Sequence, residues 1–146
     1  MNKKIKKILD KKNKSKIVSL TAYSKSIATI LDNYCDFILV GDSMANVLYG
    51  FTNTHKITLE NIIQHTLSVK KGIKKSLLVV DMPKNSYSSI NKAEKNAKLI
   101  IKKTGCDAVK LESNNKNFNI IEKLVKKKYL LWDISVLHHS LKKILK

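Results

Sequence analysis

Apolar positions in this chain gather in short unbroken runs, separated by stretches with a helical period. Phe37-Ile38-Leu39-Val40, Leu77-Leu78-Val79-Val80 and Ala108-Val109-Lys110-Leu111 have the composition of strands covered on both faces, as in a parallel sheet. Lys16–Ala22 reads as an earlier strand and Leu130–Val136 as a later one. The intervening segments Lys25–Asn33, Thr58–Lys71, Ser88 or Ser89 to Lys103, and Asn117–Lys127 repeat apolar residues at three- and four-residue steps, the mark of amphipathic helices. Ile27, Ile30 and Leu31 are expected inward on the first of these. Ala93, Ala97, Ile100 and Ile101 form the stripe of the third. Ser24 and Thr58 suit helix N-caps, while Gly72 and Gly105 suit helix stops. Residues 3–13 and His138–Lys146 read as short basic helices. Strands alternating with helices predict an α/β fold with parallel strands.

Each of the three central runs ends in a carboxylate: Asp42 after Gly41, Asp81 before Met82-Pro83, and Glu112. They recur at intervals of roughly 30–40 residues, the length of a strand–helix unit. In parallel α/β sheets the carboxyl ends of the strands are where ligands bind. Three convergent carboxylates repel one another unless a positive charge neutralises them, and an all-oxygen set suits Mg²⁺ or Mn²⁺ better than zinc. Lys110 and Glu112 share a face if their strand stays regular. A lysine there can bind the negative end of a substrate, and Ser43 can donate at the same rim. Each has a plainer reading too. Asp42 and Ser43 fit a turn, and Glu112 could pair with a surface lysine. His65 reads as a core-edge residue and His55 as a loop residue. No phosphate-binding loop, dinucleotide glycine pattern or nucleophile elbow occurs.

Composition narrows the classes. The 146 residues are 43% hydrophobic, enough for one domain with a core, and no linker or composition break divides residues 1–146. No run approaches the ~20 apolar residues of a membrane span, and no apolar signal core follows the basic start. Cys35 and Cys106, far apart and outside any CxxC pattern, read as reduced thiols, so a cytoplasmic location is expected. The net charge of +18 invites a nucleic-acid reading. However, all 29 basic residues are lysine, and base readout and bidentate phosphate contacts favour arginine. Nucleic-acid binding is therefore the weaker alternative.

Thr21-Ala22-Tyr23, Leu39-Val40-Gly41-Asp42-Ser43, Asp81-Met82-Pro83 with Ser86-Tyr87, and Val109-Lys110-Leu111-Glu112 resemble, in order and approximate spacing, the ketopantoate (3-methyl-2-oxobutanoate) hydroxymethyltransferase family. The resemblance runs from about Ile17 to Lys127. It implies a (β/α)₈ TIM-barrel type fold, here truncated to about the first four or five strand–helix units. It also implies Mg²⁺-dependent transfer of a hydroxymethyl group from 5,10-methylenetetrahydrofolate to 3-methyl-2-oxobutanoate, giving 2-dehydropantoate for pantothenate and coenzyme A biosynthesis. By the same resemblance Asp42, Asp81 and Glu112 match the metal site, and Asp42, Ser43, Asp81 and Lys110 match the keto-acid site. The chain departs from the family at Ser24, at Lys84 (an aromatic in the family), and in a diverged tail over 131–146, where Asp133 stands in place of a histidine. The family's general base is expected beyond the last residue, so no residue is assigned that role. A partial barrel exposes a strand edge, which implies a homo-oligomer or a partner chain. A non-catalytic remnant that binds metal, keto acid or a partner is the alternative function.

Overall fold

The computed structural model describes residues 3–112, 117–126 and 131–132. The chain opens with α1 (Lys3–Asp10). It then alternates β1 (Ser19–Thr21), α2 (Lys25–Leu31), β2 (Phe37–Val40), α3 (Met44–Val47), a 3-10 turn (Thr54–Lys56), α4 (Leu59–Lys70), β3 (Leu77–Asp81), α5 (Ile90–Thr104), β4 (Ala108–Lys110), α6 (Phe118–Lys126) and β5 (Leu131–Trp132). The five strands form one sheet in the order β1-β2-β3-β4-β5, and every pairing is parallel. Strand order that follows chain order without reversal is the order of a (β/α) barrel. A doubly wound sheet would reverse at a switch point.

Side chains alternate across the strands, so β2, β3 and β4 each serve two cores. Ile38, Val40, Leu78, Val80 and Val109 belong to the larger core, with Ile62, Ile63 and Val69 of α4, Ala93, Ala97 and Ile100 of α5, and Leu124 of α6. Each large apolar side chain fully buried here contributes about 1.5–3 kcal/mol. Leu77, Val79 and Ala108 form a second, smaller cluster, where Phe37 and Leu39 also pack. Ile8 and Ile5 of α1 close over this cluster, and Lys4 Nζ donates to Ser76 O at 2.7 Å. The basic opening helix thus docks by one small apolar stripe.

The start of α4 and both ends of α5 follow their sequence signals, whereas Ser24 at the start of α2 makes no side-chain capping bond. Thr58 and Asn61 form a reciprocal capping box on α4. Ser89 caps α5, and Gly105 ends it in the left-handed region at φ 61°, a conformation that costs glycine least.

Two expectations fail. The first strand is not Lys16–Ala22 but three residues, all exposed, with Val18 and Leu20 open to solvent. In α2, Ile27 and Ile30 are exposed at 47% and 59%, while Ala28 is fully buried. The reason is close helix approach. A Cβ on Gly72 would sit 2.5 Å from Lys25 O and 2.9 Å from Ala28 Cβ. The chain after α4 presses directly on the backbone of α2, and only small residues fit between them. Gly72 therefore serves contact with α2, and the cap of α4 is Lys71. The expected strand beyond Trp132 and the helix His138–Lys146 lie outside the described residues.

Candidate active site

Asp81 is the last residue of β3 and Lys110 the last of β4, and the two are register partners. Alternation along these strands puts both on the face that carries Leu77, Val79 and Ala108 of the smaller core, at its carboxyl edge. Lys110 Nζ meets Asp81 Oδ1 at 2.5 Å, with Asp81 only 5% and Lys110 only 6% exposed. Two charges taken from water this far hold together only if geometry and further hydrogen bonds compensate. The further bond comes from the next strand: Asp42 N–H donates to Asp81 Oδ2 at 3.2 Å.

Gly41 makes that approach possible. A Cβ there would meet Ser43 Oγ at 2.9 Å and Asp81 Oδ2 at 3.4 Å, so a side chain would crowd the hydroxyl and the carboxylate. Ser43 occupies the N-cap position of α3 but makes no capping bond with its side chain. Its hydroxyl instead shares a 2.8 Å hydrogen bond with Tyr23 Oη. His65 of α4 holds the other side of Tyr23, with Nδ1 2.8 Å from Tyr23 O. Tyr49 Oη stands 3.0 Å from His65 Nε2. Tyr23 thus holds the Ser43 hydroxyl, and His65, itself met by Tyr49, ties down the backbone that carries Tyr23.

Burial pushes the Asp81 carboxyl above its ordinary value. Lys110 pulls it down, the Asp42 carboxylate adds to the upward push, and the Asp42 N–H offsets part of it. Tyr87, half-buried, is also raised, first by burial and then by the negative charges of Glu112, Asp42 and Asp81. One phenol therefore feels all three carboxylates named by the sequence. These carboxylates line a cleft of about 470 Å³ with Lys110, Tyr87, His55, Lys84, Asn85 and Asn117 among its walls. Asp42 makes no side-chain hydrogen bond among the described residues.

The sequence-based site is thus brought together in part. Asp42, Asp81, Lys110 and Glu112 share the cleft, and Ser43 stands behind Gly41. Lys110 is not the strand neighbour of Glu112, however. β4 ends at Lys110, Glu112 is exposed beyond it, and Lys110 turns to Asp81. Among the described residues no three His, Cys, Asp or Glu side chains gather closely enough to hold a metal between them. The donor chemistry still fits Mg²⁺, which needs only one or two carboxylates and keeps waters and substrate oxygens in its remaining positions. Sequence reasoning gave no structural role to His65 and Tyr49 as supports of Tyr23. Their signal was weak, since a histidine on a helix and a tyrosine in a loop carry no spacing pattern.

Comparison with known proteins agrees with this geometry. The ketopantoate hydroxymethyltransferase profile matches residues 2–139. A 3-methyl-2-oxobutanoate hydroxymethyltransferase of Pelagibacter ubique (strain HTCC1062) is 57% identical over 128 residues, covering 88% of this chain and 50% of the relative. One from Anaplasma marginale (strain St. Maries) is 51% identical over 102 residues, covering 70% and 37%. The chain spans about half the length, or less, of these curated relatives. In fold it is similar to 2,3-dimethylmalate lyase, a PEP mutase/isocitrate lyase superfamily member, with a TM-score of 0.61 at 11% identity over 99% of this chain and 58% of that one. Among the described residues no helix is long and apolar enough to cross a membrane. The motifs, the sequential parallel sheet and these matches agree: the chain belongs to the ketopantoate hydroxymethyltransferase family.

Proposed function

We propose that this chain acts in hydroxymethyl transfer from 5,10-methylenetetrahydrofolate to 3-methyl-2-oxobutanoate. The balanced reaction consumes one water and yields 2-dehydropantoate and tetrahydrofolate. A C–H bond at C3 of the keto acid breaks, and C3 bonds to the folate-borne carbon. The observation that carries this reading is the buried Asp81–Lys110 pair beside Asp42, opening on a cleft at the carboxyl edge of the sheet.

In this reading Asp42, Asp81 and Glu112 would hold Mg²⁺, one or two of them directly and the rest through its waters, and Asp42, Ser43, Asp81 and Lys110 would hold the keto acid. When bound, the cation supplies Lewis-acid polarisation of the 2-oxo group. The protein's own residues orient and select. Lys110 spends one N–H on Asp81, and its ammonium has two more donors for a substrate carboxylate. Ser43, aimed by Tyr23, offers a hydroxyl of fixed direction. Burial of the pair keeps water from competing for the same positions.

The test is formation of 2-dehydropantoate by the purified chain with Mg²⁺ and both substrates, with Asp81→Ala alongside. Turnover lost in Asp81→Ala is the expected result. Titration of Mg²⁺ and keto acid by calorimetry, run in parallel, separates the second reading, a non-catalytic binding protein. That reading is favoured by Asp81's charge being met within the chain by Lys110, and it predicts binding without turnover. Neither binding nor turnover in folded protein would overturn both.

A further inference from the structure

The cleft runs from a buried inner end to an exposed mouth. Its inner end is the buried Asp81–Lys110 pair. At the exposed mouth of the same cleft stand His55 and Lys84. Lys84 Nζ lies 2.6 Å from His55 Nε2. A lysine ammonium that donates to a ring nitrogen uses the neutral imidazole as its acceptor. Lys84 then keeps two N–H donors and its charge, and among the described residues no carboxylate pairs with it. Both residues are exposed, so their donors are accessible from solvent.

The two loops that carry them are held in place. His55 sits in the 3-10 turn Thr54–Lys56, whose start is fixed by Asn53 Oδ1 accepting from His55 N–H. Lys84 is followed by Asn85, which takes φ 71°, a left-handed conformation that asparagine tolerates better than most residues. Asn96 Nδ2 ties the same loop down by donating to Ser86 O at 2.7 Å. The Ser86 hydroxyl itself is buried with no hydrogen-bond partner among the described residues. The loop therefore presents its cation from a constrained backbone.

We infer that Lys84 and His55 form a carboxylate-binding rim of the cleft, and that its ligand is the anionic glutamate tail of the folate co-substrate. This rests on the function proposed above. The keto acid is small and has one carboxylate, which Lys110 meets at the inner end. A pterin carrying its one-carbon unit to that end is long, and its glutamate carboxylates extend away from the reacting carbon. The exposed Lys84 ammonium, held against His55 and paired with no carboxylate among the described residues, offers such a tail opposite charge at the mouth of the cleft. The general positive field of a chain with net charge +18 assists its arrival.

Calorimetric titration with Mg²⁺ present tests this, using 3-methyl-2-oxobutanoate and 5-formyltetrahydrofolate bearing one or three glutamates. The proteins are the wild type, Lys84→Ala, Lys84→Ala with His55→Ala, and Lys123→Ala as a cation control outside this rim. Lys84 and His55 are exposed, so the variants retain the fold, which circular dichroism verifies. The expected result is a roughly fivefold loss of triglutamate affinity in Lys84→Ala, a smaller loss for the monoglutamate, and unchanged keto-acid binding. The difference between tails should also shrink as salt rises. Equal folate affinities in wild type and both rim variants would overturn the inference, as would loss of keto-acid binding alone, or a greater loss in Lys123→Ala. A wild-type chain that binds neither keto acid nor folate overturns the inference together with the proposed function. Keto-acid binding that persists while the rim variants change nothing sinks the inference alone.

Discussion

Among the described residues both edges of the sheet carry three carboxylates, and the structure treats them in opposite ways. At the amino edge, Asp32 accepts from the N–H groups of Lys74, Lys75 and Ser76 at 2.8–3.0 Å. Asp36 accepts from Val18 N–H at 3.0 Å and from Lys11 Nζ at 2.7 Å. Asp107 accepts from Leu78 N–H at 2.9 Å. Each of these carboxylates ties a neighbouring segment at the foot of a strand. At the carboxyl edge, Asp81 is met by one lysine and one N–H, and the side chains of Asp42 and Glu112 make no hydrogen bond to the described residues. One edge spends its acids on the fold. The other keeps acid capacity in reserve for something outside the chain, which is how parallel β/α folds divide their two faces.

The protonation equilibria follow the same division. Burial alone would raise Asp32 and Asp36. The backbone donors at Asp32, and Lys11 with Val18 at Asp36, outweigh it and hold both below the ordinary 3.8. Their stabilisation is complete above that value and is lost as pH falls through their lowered values. Asp81 has the opposite sign. Its raised value means that the folded state favours the protonated form, so its contribution is greatest below 3.8 and is lost as pH rises through the raised value.

The largest expected effect breaks the carboxyl-edge pair. Lys110→Met leaves Asp81 buried without its cation and should cost about 3–5 kcal/mol in urea unfolding. The double change Asp81→Leu with Lys110→Met should recover most of that loss. Failure of the double variant to recover would mean that the pair holds the fold as the amino-edge acids do.

Next in size is Asp32→Ala, which removes a charged acceptor from three backbone N–H groups. It should cost about 3 kcal/mol at pH 7, and less as pH drops below 4, since the lost contribution fades there in the wild type as well. Denaturant midpoints from pH 7 to pH 3 would show the converging curves, and parallel curves would contradict the assignment.

Asp42→Asn should change stability by no more than about 0.5 kcal/mol, while abolishing the calorimetric Mg²⁺ signal expected under the proposed function. A large stability loss would move Asp42 into the structural class. The smallest effect belongs to Tyr23→Phe, about 1 kcal/mol from one lost hydrogen bond. Its functional readout is weaker keto-acid binding with Mg²⁺ binding retained, because it frees the Ser43 hydroxyl without touching a carboxylate.

How much of this was legible in sequence depends on the type of signal. The apolar runs at β2, β3 and β4 and the caps Thr58, Ser89 and Gly105 are local patterns, and they place the strand–helix rhythm. Acids after the strands mark the carboxyl edge for the same reason. The inward face of α2 was misread because its burial is decided by Gly72, more than forty residues away, and no periodicity within α2 records that contact. The amino-edge acids Asp32, Asp36 and Asp107 drew no attention, although Asp36 and Asp107 flank strands as closely as Asp42 does. What distinguishes the two groups is whether backbone N–H groups from other segments converge on them, which is a property of the folded chain. The partner of Lys110 was open for the same reason. Register across β3 and β4 chose Asp81 over Glu112.

The docking of α1 carries a consequence for the order of events during synthesis. Ile5 and Ile8 leave the ribosome before any of the strands β1–β5, yet the surface they cover includes Leu77, Val79 and Ala108. Until the nascent chain has grown past that alanine, the opening helix has nothing complete to rest on. A segment made before the sheet is therefore among the last to settle. A ribosome stalled before β4 should display α1 still open to proteases from which the finished sheet protects it.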